Sequence, residues 1–179
     1  MEERARTIRR MFSSISPRYD FLNHLLSASI DRRWRKHLAA KLIDANTHRL
    51  LDLCTGTGDV AFALSACMTQ GAVFGADFSR EMLQIGAKKA EQRTAAASVN
   101  FIESDALHLP FPSAYFDAVS IAFGLRNIVD WKAGLREMAR VTRPGGKVAI
   151  LEFSLPQHQP LRGLYLAYFT RFLPWIGNQ

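Results

Sequence analysis

The amino-acid sequence predicts an α/β fold of the Rossmann-like type, with a mostly parallel sheet covered by helices. From residue 49 onward, short apolar runs alternate with segments of helical composition, which is typical of repeated βα units. A glycine-rich turn, CTGTGD, follows the first of these runs and precedes a helical segment. The length of 179 residues, with 48% hydrophobic and 22% charged residues, suits one globular domain.

The βα pattern predicts five strands and three helices between them. The predicted strands are residues 50–54, 73–77, 99–104, 117–122 and 147–153, and the predicted helices are residues 60–68, 80–92 and 131–141. Ser79 and Asp130 stand directly before the second and third helices, where we expect their side chains to act as N-caps. The sequence RPGG at 143–146 is expected to end the third helix and turn the chain into the fifth strand.

Two helical segments flank this core, which spans residues 49–153. Residues 1–48 have apolar side chains at helical intervals and are predicted to form an N-terminal helical cap of the same domain. Residues 154–179 are rich in aromatic side chains and are predicted to be helical. Because no sixth strand follows residue 153, we expect the C-terminal strands of the sheet to be absent and the chain to be a truncated form.

Charge is distributed unevenly along the chain. The net charge is +7, and residues 1–49 carry eleven Lys and Arg against five Asp and Glu. A basic first quarter can approach nucleic acid, an anionic membrane surface or an acidic partner, and a solvated helix surface explains the same charges equally well. The charged N-terminus has no secretory apolar run and no stretch has the length of a membrane span, so a cytoplasmic protein is predicted.

The glycine turn predicts a nucleoside or phosphate site. Gly56 and Gly58 follow the first strand, where the backbone approaches a ligand without a Cβ in the way. Dinucleotide-binding enzymes use a similar turn, and a tight strand-to-helix turn without a ligand would also need these glycines. Asp77 ends the second strand about twenty residues later, where a carboxylate can accept hydrogen bonds from both ribose hydroxyls.

Three further acids favour S-adenosylmethionine over NAD. Asp52 and Asp59 bracket the turn with negative charge, which suits a cationic sulfonium and repels a pyrophosphate. Asp105, after the third strand, stands where it can meet an adenine amino group. Each acid also has a purely structural explanation, in orienting the turn, complementing a helix N-terminus or capping a turn. An NAD-binding oxidoreductase therefore stays an alternative.

The fourth strand leads into FGLRN, at the sheet edge where open α/β folds bind their ligands. Arg126 is the predicted catalytic residue, because its guanidinium can stabilise an oxyanion on an acceptor, although it can equally pair with a structural carboxylate. Asn127 is expected to orient the acceptor, and Tyr19 in the cap to close over the cofactor. The sequence has two cysteines, no CxxC pair and no histidines at ligand spacing, so no metal site is predicted.

Several distant segments together resemble one family, the ubiquinone/menaquinone biosynthesis C-methyltransferases. The resembling segments are MFSSISPRYDFLNHLLSASIDRRWRK, LLDLCTGTGD, GADFSREML, ALHLPFPSAYFD, FGLRNIVDWKAGLREMARVTRPGG and LEFSLPQHQPL. SPRYDFLN and FGLRN are particular to this group, whereas the glycine turn and RPGG occur in methyltransferases generally. The chain departs from the family at Ala122, where a serine is common, and in ending before the strands with which members usually continue.

The resemblance implies a class I S-adenosylmethionine-dependent methyltransferase fold and methyl transfer to a ring carbon of a polyprenylated quinol. The implied reactions convert demethylmenaquinol to menaquinol or methylate a polyprenyl-methoxybenzoquinol. Cofactor contacts are implied at Thr57, Asp77 and the pair Asp105 and Ala106. With the residues derived above, the predicted cofactor site comprises Asp52, Gly56, Thr57, Gly58, Asp77, Phe78, Asp105, Ala106 and Ala122.

The implied substrate also determines the expected partners. A polyprenyl tail exceeds what a domain of this size can enclose, so peripheral contact with an anionic membrane surface at the inner face is expected, with no nucleic acid. The sequence leaves open whether the chain forms a homodimer. A non-catalytic methyltransferase-like partner protein is the remaining alternative function.

Overall fold

The computed structural model describes residues 30–93, 97–152 and 158–160. Five parallel strands form one sheet in the order β3-β2-β1-β4-β5. The strands are β1 (Arg49–Leu53), β2 (Ala72–Asp77), β3 (Ser98–Glu103), β4 (Phe116–Ala122) and β5 (Thr142–Leu151). The order reverses direction at β1, between β2 and β4, which is the position where open α/β sheets bind ligands at the carboxyl ends of the strands.

Four α-helices and one short 3-10 turn accompany the sheet in the described ranges. They are α1 (Asp31–Leu42), α2 (Asp59–Ser65), α3 (Arg80–Glu91), the 3-10 turn (Leu125–Asn127) and α4 (Trp131–Val141). The helix α1 belongs to the predicted N-terminal cap, of which residues 1–29 lie outside the description. The predicted helical segment 154–179 also lies outside it, apart from residues 158–160.

The predicted elements are confirmed with small shifts of their ends. The Ser79 hydroxyl accepts a hydrogen bond from Met82 N at 3.4 Å, and the Asp130 carboxylate accepts one from Ala133 N at 2.9 Å, so both N-caps form as predicted. The helix α2 ends three residues before its predicted limit of residue 68, at Ser65.

The fifth strand differs more from its prediction, because it begins five residues early, at Thr142. Phe116 pairs with Thr142 and Ala118 pairs with Lys147, so the RPGG segment is an irregularity within the edge strand where a separate turn was predicted. Gly145 has a positive φ of 77° there, a conformation that glycine adopts without strain.

Side chains from successive strand positions pack on opposite faces of the sheet. Leu50 of β1 belongs to a buried cluster that includes Leu42 of α1 and Leu64 of α2. Leu51, the next residue, belongs to a second cluster on the other face, with Met138 of α4. Because both faces of the sheet are covered, β1 and β4 are buried along nearly their whole length.

Gly71 lies directly before β2, where its backbone closely approaches His48, the residue directly before β1. Its φ is 97°, and an added Cβ would overlap the carbonyl group of His48. That carbonyl accepts the Ala72 N–H bond at 2.8 Å and is therefore held in place. We expect Gly71→Ala to lower the free energy of unfolding by about 3 kcal/mol or more, measured by urea denaturation.

Gly145→Ala is the matched control, because Gly145 also has a positive φ but no atom lies within 4 Å of its added Cβ. It should cost only the left-handed backbone penalty, about 1–2 kcal/mol. Equal losses in the two variants would show that backbone strain, and not the His48 contact, makes Gly71 necessary.

Candidate functional site

A cleft lies at the carboxyl ends of β1, β2 and β4. It is open to solvent. The lining residues are Cys54, Gly56, Asp77, Phe78, Met82, Ala122, Phe123, Gly124 and Asn127. The structure thus brings together Gly56, Asp77, Phe78, Ala122 and Asn127 from the predicted site.

The turns after β1 and β4 form two walls of this cleft and have unusual backbone conformations. Cys54 and Phe123, each directly after its strand, have φ values of 54° and 56°, in the left-handed region that non-glycine residues rarely adopt. The two turns meet so closely that a Cβ at Gly124 would overlap Cys54 Cβ and lie 3.0 Å from its Sγ. Such backbone strain is commonly found at functional sites, where surrounding packing maintains it.

Asp77 connects the glycine turn to the end of β2. One carboxylate oxygen accepts the Gly56 N–H at 2.8 Å and the other accepts the Ser79 N–H at 2.9 Å. Burial raises the pKa of the Asp77 carboxyl, and the hydrogen bonds from the backbone oppose this rise. A carboxylate has about four acceptor sites, so the backbone hydrogen bonds from Gly56, Ser79 and Phe78 leave acceptor capacity for a ligand hydroxyl.

Asp52 lies behind the cleft wall and is fully buried. Its oxygens accept hydrogen bonds from the hydroxyls of Thr55 at 2.6 Å and Ser120 at 2.7 Å. Burial raises the pKa of Asp52 to about 6, although both hydroxyls lower it. In the structure Asp52 joins the β1 turn to β4, and direct contact between Asp52 and a cofactor stays a prediction.

Asp59 is surrounded by cations. Arg35 of α1 lies 2.8 Å and Lys89 of α3 lies 3.0 Å from its two carboxylate oxygens. Burial would raise the pKa of Asp59, but Arg35 and Lys89 outweigh it and hold the pKa below its ordinary value. Lys89 also donates to the Thr57 hydroxyl at 3.0 Å. The negative charge that the sequence indicated at the turn is therefore offset on the Asp59 side.

The other predicted contacts lie around the cleft without lining it. Thr57 and Gly58 are buried inside the turn, and Ala106 packs against the second apolar cluster. The side chain of Asp105 is 61% exposed, and its carboxylate accepts the Leu107 N–H at 2.9 Å, which is the turn-capping arrangement. Cofactor contacts at these positions stay predictions.

The FGLRN segment forms the side of the cleft opposite Asp77. Asn127 lines it, and Arg126 beside it is exposed and lies 3.4 Å from a carboxylate oxygen of Glu152, just past β5. The Trp34 ring of α1 lies 6.3 Å from the Phe123 ring between centroids, so the cap reaches this wall. Tyr19 falls outside the described residues.

The residues that sequence reasoning missed have weak local signals. Met82 and Cys54 line the cleft, but an apolar helix residue and an isolated cysteine are common in any α/β core. Arg35, Lys89 and Glu152 act across long sequence separations that no local pattern reveals. The i,i+4 ion pair of Arg35 with Asp31, at 2.7 Å, is the one signal that could have drawn attention to Arg35.

The shape and chemistry of the cleft fit a nucleoside with a cationic substituent. Gly56 has no Cβ to obstruct its floor, Asp77 offers hydrogen-bond acceptors, and Phe78 and Met82 supply an apolar wall for a purine ring. Within the described ranges, no group of His, Cys, Asp and Glu is arranged to hold a metal ion.

This sheet, turn and acidic strand end define the Rossmann-like fold of class I S-adenosylmethionine-dependent methyltransferases. A solved structure of a SAM-dependent methyltransferase from Aquifex aeolicus is similar, with a TM-score of 0.62 at 22% identity over 74% of this chain and 76% of that one. The [4+2]-cyclase SpnF has the same TM-score at 27% identity, over 72% of this chain and 47% of its own. The fold therefore hosts more than one reaction.

The chain belongs to the ubiE/COQ5 methyltransferase family, whose model matches residues 1–179. It is 44% identical over 179 residues to a ubiquinone/menaquinone biosynthesis C-methyltransferase of Geotalea daltonii, covering 99% of this chain and 76% of the relative. It is 47% identical over 168 residues to a demethylmenaquinone methyltransferase of Thermus thermophilus, covering 94% of this chain and 76% of the relative. These findings favour a methyltransferase over the NAD-binding alternative.

The raised pKa of Asp52 predicts a pH dependence of stability. The folded protein binds the Asp52 proton more tightly than the unfolded chain, so this contribution is fully present below pH 3.8 and is lost as pH rises through about 6. The pKa difference corresponds to about 3 kcal/mol. We expect Asp52→Asn to remove this loss, measured as the free energy of urea unfolding between pH 4 and pH 7.5.

Asp44→Asn is the control, because Asp44 is exposed and its pKa is lowered, chiefly by a hydrogen bond from Lys147. We expect Asp44→Asn to change the pH dependence of the unfolding free energy only weakly. The change has the opposite sign, because a group with a lowered pKa contributes stability that is lost as pH falls. Parallel curves for the wild type and Asp52→Asn would contradict the assignment of the raised pKa.

Proposed function

We propose that this protein binds S-adenosylmethionine in the described cleft and transfers its methyl group to a ring carbon of a polyprenylated quinol. The observation that carries the proposal is the placement of Asp77 and Gly56 on one side of the cleft and FGLRN on the other. Family membership and the names of the relatives support the quinol as acceptor.

Each side of the cleft has a separate task. Asp77 would accept hydrogen bonds from the ribose hydroxyls, and Phe78 and Met82, which line the cleft, would contact the purine. The bound cofactor supplies an electrophilic methyl group on a positively charged sulfonium. Asn127 orients the acceptor, and the exposed guanidinium of Arg126 stabilises the oxyanion of the quinol, which places electron density on the ring carbon.

The reaction itself is the main test. We expect the chain to transfer methyl from labelled S-adenosylmethionine to reduced demethylmenaquinol or a polyprenyl-methoxybenzoquinol, and not to the oxidised quinones, because only the quinol has a nucleophilic ring carbon. Arg126→Gln should lower kcat by about 10²-fold or more and leave the dissociation constant of the cofactor within a factor of about two.

The exposed Arg136 on α4 provides a matched arginine, and Arg136→Gln should retain full activity. Cofactor binding without transfer to either quinol would favour the non-catalytic partner protein. Equal activity of Arg126→Gln and the wild type would show that Arg126 does not stabilise the oxyanion.

The tail of the quinol motivates a second part of the proposal, peripheral docking at an anionic membrane surface. Within α1, the side chains of Arg32, Arg33, Lys36 and Lys41 are exposed. Basic residues near an anionic leaflet contribute about 1 kcal/mol each. No helix within the described ranges is both long and apolar enough to cross a bilayer.

Charge reversal tests the docking. The variant Arg32→Glu, Arg33→Glu, Lys36→Glu should bind vesicles containing phosphatidylserine at least about 10-fold more weakly than the wild type in co-sedimentation at low salt. The control reverses Lys88 and Lys132, which are exposed on α3 and α4. Equal losses of affinity in both variants would indicate docking through another surface. If the wild type does not bind anionic vesicles, the docking proposal is wrong.

A further inference from the structure

Removal of the hydroxyl proton makes the ring carbon of a quinol more nucleophilic, and the residues assigned so far do not accept that proton. Arginine stays charged in proteins, so Arg126 stabilises an oxyanion but is a poor base. A carboxylate close to Arg126 would complete the site. This inference rests on the proposed function and concerns the group that takes the proton.

The other ionisable side chains at this edge are unsuitable among the residues that the structure describes. Asp77 is engaged with the backbone of Gly56 and Ser79. Asp105 is largely exposed and closes its own turn. Burial, and then the charges of Asp77 and Asp52, raise the pKa of the Cys54 thiol well above its usual value, so it is not a base near neutral pH.

Glu152 occupies a different position. It follows Leu151, whose carbonyl accepts the Phe123 N–H at 2.8 Å, so it lies beside the turn that forms the cleft wall. Its Oε1 atom is buried and, among the described residues, has no hydrogen-bond partner. Its charge is also close enough to raise the pKa of the Cys54 thiol, and Cys54 lines the cleft. A buried carboxylate oxygen without a partner is costly and calls for an explanation.

The second oxygen of Glu152 makes a loose pair with Arg126. The distance from Arg126 to Oε2 is 3.4 Å, longer than the 2.7–2.9 Å that is typical of strong charged hydrogen bonds. Arg126 is about half exposed, whereas the Glu152 side chain is 24% exposed. An acceptor hydroxyl that enters between them would meet a cation for its oxygen and a carboxylate for its proton.

We propose that Glu152 is the catalytic residue that accepts the proton of the quinol hydroxyl. As the hydroxyl proton moves to the carboxylate, the ring carbon bonds to the methyl carbon, and the C–S bond breaks with its electron pair remaining on sulfur. The ketone oxygen formed on the ring then takes the proton back from Glu152 while the hydrogen on the methylated carbon leaves to water. One proton is released for each methyl group transferred.

Glu152→Gln tests the proposal, because glutamine keeps the shape of the side chain and an acceptor for Arg126 but cannot take a proton. We expect kcat to fall by about 10²- to 10⁴-fold, with the dissociation constant of S-adenosylmethionine unchanged within about twofold. The residual kcat should rise about tenfold per pH unit between pH 7 and pH 9, as the quinol ionises by itself. The wild-type kcat should rise less steeply.

Glu103→Gln is the matched control, because Glu103 ends β3 and also pairs with an arginine, Arg80, at 3.1 Å. Its kcat and pH profile should equal those of the wild type. If Glu152 only holds Arg126 in place, Glu152→Gln will alter KM or stability but keep the wild-type pH profile, and the proposal is overturned.

A second comparison applies if the glutamine variant does not fold. Glu152→Asp retains the base one methylene further away, so its kcat deficit should shrink with a halogenated quinol whose hydroxyl is more acidic. A deficit independent of acceptor acidity overturns the proposal. Absence of methyl transfer by the wild type would instead count against the proposed function, which separates the two failures.

Discussion

The hydrogen bond from the Gly56 N–H to the Asp77 carboxylate joins the turn after β1 to the end of β2. A second bond, from Thr55 N to the Ala76 carbonyl at 3.1 Å, holds the same two segments. Because the turn must fold back toward β2 to make these bonds, its backbone takes left-handed conformations at Cys54 and Gly56. The floor and one wall of the cleft exist as a result of this constraint.

Charge around the turn is divided between two environments. Asp59 on the outer side is held ionised by Arg35 and Lys89, which join α1 and α3 to the first residue of α2. Asp52 on the inner side has hydroxyl partners only and a pKa of about 6. The ion pairs of Asp59 therefore hold α1 of the N-terminal cap against the core. The inner group leaves negative charge beneath a site that we propose for a sulfonium.

The acceptor side has the complementary arrangement. Arg126 is exposed, and Glu152, 3.4 Å from it, is partly buried beside the wall that Phe123 and Gly124 form. Arg126 can stabilise the oxygen of a bound hydroxyl while Glu152 accepts the proton of that hydroxyl. Both residues follow adjacent strands, Arg126 in the 3-10 turn after β4 and Glu152 directly after β5.

The sequence by itself determined the element order, the N-caps at Ser79 and Asp130, and the cleft residues Gly56 and Asp77. These features depend on local rules, in which apolar periodicity specifies the strands and a missing Cβ or a short polar side chain specifies the turns. Sequence alone also indicated the family, through FGLRN and several other short motifs along the chain.

Only the tertiary structure decided which acids face the cleft. The sequence indicates Asp52, Asp59 and Asp105 as acids near the cofactor. Packing buries Asp52 against Thr55 and Ser120, pairs Asp59 with two distant cations and leaves Asp105 capping its own turn. Glu152 likewise meets Arg126 from 26 residues away. Electrostatic environment depends on neighbours brought together by the sheet order, and linear spacing does not contain that information.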